Sequence, residues 1–341
     1  VNPSRDVVCF GEVLIRLTAP GAELLLQSKR LDVCFGGAET NLAVSLARFG
    51  HRAGVASILP DNALGRAALD ELRRYGVDTS GLRFAEGRMG LYFLQPGAVL
   101  RPAEITYDRA GSAFAEAPAD LIDWDRELAG VQWLHLSGVT PAVGPNSAAA
   151  ALNAVAAARR QGVKVSFDGN YRAKLWAAWK GDGPAILKEL MANADLAFVD
   201  DRDIALVLGR AFTDEDPAAR RRAAAEAAFD AFPHLQRMAS TFRTTHGVDH
   251  HELSGVMFTR GGGEVRTGSF HLTGVVDRIG GGDAFAAGLM HGLLSGMDDR
   301  AALDFAVAAG CLKHSVPGDF NLVGVPEVEA LLAGGGLDVR R

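Results

Sequence analysis

Three glycines and an aspartate, Gly280-Gly281-Gly282-Asp283, carry the clearest chemical signal in the chain; they sit in the run Asp277-Arg278-Ile279-Gly280-Gly281-Gly282-Asp283-Ala284-Phe285-Ala286-Ala287-Gly288. Glycine lets backbone N–H groups come close to an anion. A carboxylate beside such a hole can take the proton from a hydroxyl that attacks a phosphate. The chemistry that fits is phosphoryl transfer, with Asp283 as general base and the backbone of Gly280, Gly281 and Gly282 as anion hole. The same tetrad also reads as a flexible loop with a capping aspartate, so the surrounding chain has to decide.

The tetrad must open a helix to work. Val275 and Val276 lead into it, and Phe285, Leu289 and Leu293 recur every fourth residue behind it, as one helix face requires. The glycines then stand where N–H groups lack intrahelical partners and the dipole favours negative charge. A second pair, Gly36-Gly37, precedes Ala38-Glu39-Thr40-Asn41 and a helix with Leu42, Leu46 and Phe49 on one face, stopped by Gly50. Gly37 and Asn41 could receive a polyol, or the pair could be a simple turn and cap. A third group, Asp168-Gly169-Asn170-Tyr171-Arg172, follows the apolar run 163–167. Open α/β sheets bind ligands just past strand ends, which makes Asn170 and Arg172 candidate contacts.

Residues 7–10 and 55–59 read as buried strands, and 61–72 as a turn opening a helix. Residues 12–35 are looser. Segments 90–94 and 105–107 read as strands with no helix between them, an antiparallel flap. Tyr107 and Arg109 end that flap, either as a buried-tip tyrosine with a surface arginine or as a lid gripping an anion. From Gln132 onward, strand 133–136, helix 147–160, strand 163–167, helix 186–191 and strand 196–199 alternate, the pattern of a parallel, helix-covered sheet. Residues 220–232 read as a solvated helix, 239–245 as a strand, 260–263 as a hairpin turn, and 301–313 and 325–332 as helices. No repeat or linker splits the chain.

Composition excludes other classes. With 341 residues, 48% hydrophobic and 22% charged, the chain is long enough for one large α/β domain or two smaller ones. Its 41 acidic and 35 basic side chains give a net charge of −6, without the basic footprint of a nucleic-acid binder. Cys9, Cys34 and Cys311 are too scattered for a metal site and read as buried thiols. His246, His250 and His251 lack ligand spacing. No apolar run reaches the ~18 residues of a membrane span, and no leader pattern precedes the first strand, so a cytoplasmic setting is expected.

The paired motifs, Gly36-Gly37-Ala38 with Asn41 and Gly280-Gly281-Gly282-Asp283, resemble the two signatures of ribokinase-like sugar kinases of the phosphofructokinase B type, in order and over nearly the whole length. Tyr107 with Arg109, Asn170-Tyr171-Arg172, the run 277–283, and Leu312-Lys313-His314 through Gly318-Asp319-Phe320-Asn321 are similar to the bacterial 2-dehydro-3-deoxygluconate kinases. The resemblance implies a single domain over 1–341, a three-layer α/β/α architecture with a mostly parallel central sheet, and a small β-sheet lid from segments 12–35 and 90–109. It implies ATP and Mg²⁺, a small sugar acid as the partner molecule, no nucleic acid and no membrane. It leaves open a homo-oligomer joined through the lid.

Carried onto this chain, Asp283 takes the proton of the sugar's primary hydroxyl and residues 280–282 hold the transferring phosphoryl group. Gly37 and Asn41 bind the sugar acid; Tyr92, Tyr107, Arg109 and Arg172 close over it, with Asp319 as a further contact. Arginine suits a carboxylate. Asn170, Thr244, Gly247 and Lys313 fall on the nucleotide side. The chain departs from the family in three places. An Asn-x-x-Glu motif becomes Asp200-Asp201-Arg202-Asp203, leaving Asp203 to hold metal through water. The usual Gly-Ala-Gly-Asp gains a third glycine. The Lys-x-Gly nucleotide strand becomes Arg243-Thr244-Thr245-His246-Gly247. The leading expectation is a 2-dehydro-3-deoxygluconate kinase. Its rivals are a kinase for a neutral ketose such as fructose and a catalytically silent sugar-binding protein. A nicotinamide dehydrogenase is disfavoured because no Gly-x-Gly-x-x-Gly opens a first βαβ unit.

Overall fold

The computed structural model describes residues 5–334, so the expected single domain over 1–341 runs past the described residues at both ends. Strands β1 (Val7–Phe10), β2 (Leu14–Thr18), β3 (Asp32–Gly36), β4 (Ala53–Pro60), β5 (Leu82–Ala85), β6 (Gly90–Gln95), β7 (Glu104–Asp108), β8 (Trp133–Ser137), β9 (Lys164–Asp168), β10 (Leu196–Phe198), β11 (Arg237–Thr245), β12 (His250–Thr259), β13 (Gly263–Arg266) and β14 (Phe270–Thr273) divide between two sheets. The large sheet runs β13-β12-β11-β10-β9-β8-β1-β4-β5, with β14 also paired to β12. Its pairs from β11 through β5 are parallel, and those of β12 with β11, β13 and β14 are antiparallel.

The strands explain the layers. Successive side chains of a strand point to opposite faces. On β1, Val8 and Phe10 join one apolar core with Leu134, Leu136, Val165 and Phe167, while Val7 and Cys9 join another with Val55, Leu196 and Phe198. Strands that are apolar on both faces need helices on both faces, which gives the ribokinase-like α/β/α sandwich. Helices Pro145–Gln161 and Gly183–Ala192 cover the first face; helices Ala38–Arg48, Gly281–Leu294 and Asp299–Lys313 cover the second.

The small sheet, ordered β3-β2-β6-β7, stands apart from the large one. The loose segment 12–35 folds as the antiparallel hairpin β2–β3, and β2 pairs in parallel with β6 of the expected flap. Alternation then puts Leu14, Arg16, Tyr92, Leu94, Ile105 and Tyr107 on the wall of one large cavity.

Several elements differ from expectation. Helices Ala173–Trp179 and Asp201–Leu208 are too short to show an apolar period, and β5 and β14 have only four residues each. His250 and His251 begin strand β12. The triplet at 220–222 is not wholly solvated. Arg221 is buried, with its guanidinium 3.7 Å from the centre of the Phe242 ring and its Nε 3.5 Å from Asp201 Oδ1.

Helix Gly281–Leu294 is buried almost all round, because it packs on the sheet, on helix Ala38–Arg48 and on helix Asp299–Lys313. Its contact with the last depends on small residues: a Cβ on Gly288 would lie 2.7 Å from Ala306 Cα. Gly288→Val should therefore cost about 1–3 kcal/mol through overpacking. The urea unfolding midpoint should fall; an unchanged midpoint would show that the two helices can spread.

Candidate active site

A cavity of about 1210 Å³ opens between the small sheet and the carboxyl end of β9, where Asp168 stands. The start of helix Gly281–Leu294 closes its floor. Gly280 caps that helix with φ 81°, a left-handed backbone suited to glycine, and a Cβ there would strike the Asp319 carbonyl oxygen. The Gly281 N–H donates to Arg278 O at 3.3 Å, and a Cβ on Gly281 would lie 2.8 Å from the His314 ring. The N–H groups of Gly282 and Asp283 have no acceptor among the described residues, and open space surrounds Gly282. The N–H groups free to meet an anion are thus those of 282 and 283, not those of the full run 280–282 expected from the glycines.

Asp283 is the decisive group. Asn41 Nδ2 donates to its Oδ2 at 2.7 Å, joining the first turns of the two glycine-led helices. Burial pushes its pKa up to about 7; the Asn41 bond and Arg172 pull it down, while Glu39 and Asp319 push it up. Asn41 Oδ1 is buried without a partner, as a ligand-binding amide would be. Gly37 precedes that helix with φ 139°, and a Cβ there would strike the Glu12 carbonyl oxygen.

Of the arginines expected to meet the substrate, Arg172 is exposed on the cavity wall and forms no ion pair among the described residues; its Nη1 donates to the Tyr171 carbonyl at 3.1 Å. Arg109 is buried, and its Nε donates to Glu12 Oε2 at 2.6 Å, while Ser112 Oγ donates to Glu12 Oε1 at 2.5 Å. Its remaining nitrogens carry whatever it offers the cavity. Tyr107 lines the wall, and its hydroxyl makes no hydrogen bond among the described residues. Tyr92 Oη donates to Asp319 Oδ2 at 2.8 Å, and Arg16 reaches both Asp319, at 3.0 Å, and Asp277, at 2.5 Å. Asp319 is therefore already engaged, although burial pushes its pKa up.

The nucleotide-side candidates separate. Asn170 lines the cavity with φ 35°, one of four non-glycine residues with positive φ among those described, and Gly247 lines it as well. Thr244 does not, because strand alternation gives the cavity face to Arg243 and Thr245. Lys313 is fully buried outside the lining and its Nζ donates to Val316 O at 2.9 Å. Asp203 is also outside. Its Oδ2 accepts from the Asp200 N–H at 3.0 Å in a capping box that starts helix Asp201–Leu208. Burial raises its pKa to about 6.

Sequence reasoning missed Asp168, Arg16, Arg243 and Arg278, all in the cavity wall, and Glu39, buried beneath it. Glu39 Oε1 accepts from Ser137 N, Ser137 Oγ and Thr140 Oγ1 at 2.9, 2.7 and 2.6 Å, tying the Asn41 helix to the end of β8. A signal existed for Arg16: in the strand Leu14-Ile15-Arg16-Leu17-Thr18 it lies between Leu14 and Thr18 on the side opposite the apolar Ile15 and Leu17.

A glycine-led helix terminus beside a buried carboxylate is what a phosphotransferase needs, and the sequence pattern of the pfkB family carbohydrate kinases matches residues 4–323. The chain belongs to that family. It is similar to a 2-dehydro-3-deoxygalactonokinase of Haloferax volcanii, 32% identical over 340 residues, covering 99% of this chain and 100% of the relative. It is also similar to a 2-dehydro-3-deoxygluconokinase of Thermoproteus tenax, 29% identical over 96% of this chain and 94% of the relative. The crystal structure of a 2-dehydro-3-deoxygluconokinase from Thermotoga maritima superposes with a TM-score of 0.90 at 36% identity, over 96% of this chain and 99% of that one.

The pKa of Asp283 makes two checkable statements. If it acts as base, kcat/KM should rise with pH to a plateau, with a midpoint near the value of about 7. Asn41→Ala removes the bond that lowers this pKa, so the midpoint should move to higher pH; an unmoved midpoint would deny Asn41 that role. Stability has the opposite sign. A carboxyl whose folded pKa lies above its unfolded value favours the fold at low pH, and loses that contribution as pH rises through the folded value. Asp283→Asn should therefore melt higher than the parent at pH 8 and close to it at pH 4, as thermal scans at both pH values would read.

Proposed function

We propose that this kinase transfers the γ-phosphoryl group of ATP to the terminal hydroxyl of 2-dehydro-3-deoxy-D-gluconate, forming the 6-phosphate. The supporting observation is the enclosed Asp283 carboxyl, beside two free N–H groups and within reach of the Asn41 amide. Asp283 accepts the hydroxyl proton as the sugar oxygen bonds to phosphorus and the bond from phosphorus to the bridging oxygen of ADP breaks. The N–H groups of Gly282 and Asp283 hold the equatorial oxygens, and positioning with charge stabilisation supplies the rate. The small sheet serves as the lid of this one kinase domain, with Tyr92 and Tyr107 over the sugar.

Arg172, an unpaired cation close enough to lower the pKa of Asp283, suits the carboxylate that distinguishes a sugar acid from a neutral ketose. Mg²⁺ fits the same centre. Burial raises the pKa of Asp168, and Asp283 and Asp203 raise it further, a concentration of acid that a cation relieves. Among the described residues no three acidic, histidine or cysteine side chains converge on one metal position. Asp168 would then be the principal protein ligand, with water and phosphate oxygens completing the shell, the usual habit of this ion. When bound, it would neutralise phosphate charge.

The C4 epimer, 2-dehydro-3-deoxy-D-galactonate, is a second reading favoured by the substrate in the name of the Haloferax volcanii relative. Coupled assays with both epimers and with fructose test the assignment. Turnover of either sugar acid with none of fructose is expected, and turnover of fructose alone would overturn it. Arg172→Ala should raise KM for the acid at least tenfold with kcat changed less; an unchanged KM would remove Arg172 as the carboxylate reader. Asp283→Asn should lower kcat by about 10³ or more while the sugar still binds, a loss larger than the ~10²–10⁴ range's lower end for general base catalysis alone.

A further inference from the structure

Arg243, Arg278 and His251 are the cavity-lining groups for which the sugar and the base leave no role. Arg243 and His251 lie on adjacent strands: β11 and β12 pair Thr245 with His251 and Arg243 with Leu253, so the two are diagonal neighbours on one face. Arg278 arrives from the segment before the anion hole. The Val275 N–H donates to Asp249 O at 3.0 Å, which pins that segment beside the start of β12. Neither arginine forms an ion pair or donates a side-chain hydrogen bond among the described residues. His251 is 1% exposed, and neither ring nitrogen has a well-formed partner; the Val248 backbone approaches the ring without closing such a bond.

Two unpaired guanidinium groups gathered against an unpartnered buried imidazole repel one another unless an anion sits among them. Arg278 also lies three residues before Gly281, so an anion held there would continue directly from the one at the helix terminus. The sugar carboxylate already has a cation in Arg172, which acts on Asp283 and Asp168, whereas neither Arg243 nor Arg278 is among the groups that shift those two acids. We propose that Arg243 and Arg278, with His251 donating from its ring N–H, form a second anion locus that grips the non-transferred phosphates of the nucleotide. The terminus of helix Gly281–Leu294, at Gly282 and Asp283, is left for the phosphoryl group in transfer. The clamp supplies the charge that a nucleotide-side lysine would give, in a chain whose Lys313 is buried and engaged elsewhere.

The proposal rests on the kinase reading, and the test separates the two. Titration calorimetry with ADP, adenosine and inorganic tripolyphosphate, without sugar, would be run on the parent protein and on Arg243→Gln, Arg278→Gln and His251→Ala. Both arginine side chains are exposed, so these two variants should keep the parent melting temperature. Each should weaken ADP and tripolyphosphate at least tenfold and leave adenosine unchanged, with Arg→Lys restoring part of the loss. His251→Ala should act in the same direction, more weakly. In turnover, KM for ATP should rise while KM for the sugar acid stays within twofold. Unchanged ADP affinity in both arginine variants would overturn the proposal and leave the kinase reading intact, as would a rise confined to KM for the sugar acid. Failure of the parent protein to bind ADP at all would overturn both.

Discussion

Burial of one carboxyl group, Asp283, sets the terms for everything around it. A carboxylate in the first turn of a helix is favoured by the macrodipole, typically by ~0.3–1 kcal/mol and up to ~2 kcal/mol when partly buried. Desolvation acts the other way and wins. Moving the pKa from 3.8 to about 7 corresponds to roughly 4 kcal/mol against the charged form. In the base role proposed above that cost has a use, because a base poised near neutrality abstracts a proton better than one that ionises at pH 4. Helix Gly281–Leu294 has to be buried on nearly every side to hold this position, so the small residues that let it pack closely also serve the base.

Charge in the cavity is sorted by partner rather than by residue type. Arg16 and Arg109 are buried and each meets a carboxylate, Asp277 with Asp319 in one case and Glu12 in the other. Their charge is largely spent on holding the small sheet against the large one. Arg172, Arg243 and Arg278 have no such partner among the described residues and stay available to ligands. An arginine in a binding motif therefore cannot be assigned a ligand from sequence until its acidic neighbours are known.

That distinction marks how far the sequence could be read. The glycine-led helix starts and the strand-helix alternation after Gln132 depend on short-range patterns, and both are visible in a single chain. The partner of Arg16 lies 261 residues away, and the pairing of β2 with β6 that aims Arg16 and Tyr92 at the same acid has no local signature. Lys313 shows the reverse case. A lysine in the last turn of a helix reads as solvated and dipole-facing, yet the turn after it folds back so that the Val316 carbonyl accepts a hydrogen bond from its Nζ. Asp203 reads as a metal group by position, whereas its side chain is used as a helix cap because Asp200 supplies the other half of the box. Asp168, the acid that does face the cavity, ends a buried strand and carries no motif of its own.

The small sheet and the anion hole are not independent. Asp277 accepts from Arg16 of β2, from the Ile279 N–H and from the Gly318 N–H, at 2.5, 3.0 and 3.0 Å. One carboxylate thus fixes the small sheet, the turn that leads into Gly280, and the loop that carries Asp319. Separating a buried pair without replacing its partner costs about 3–5 kcal/mol. Withdrawal of the small sheet from this position must therefore either bring water to Arg16 and Asp277 or disturb the turn before the anion hole. In the proposed kinase, the small sheet and the turn before Gly280 are linked through the single Asp277 side chain, so a ligand that holds the sheet in place also holds the backbone that carries Asp283.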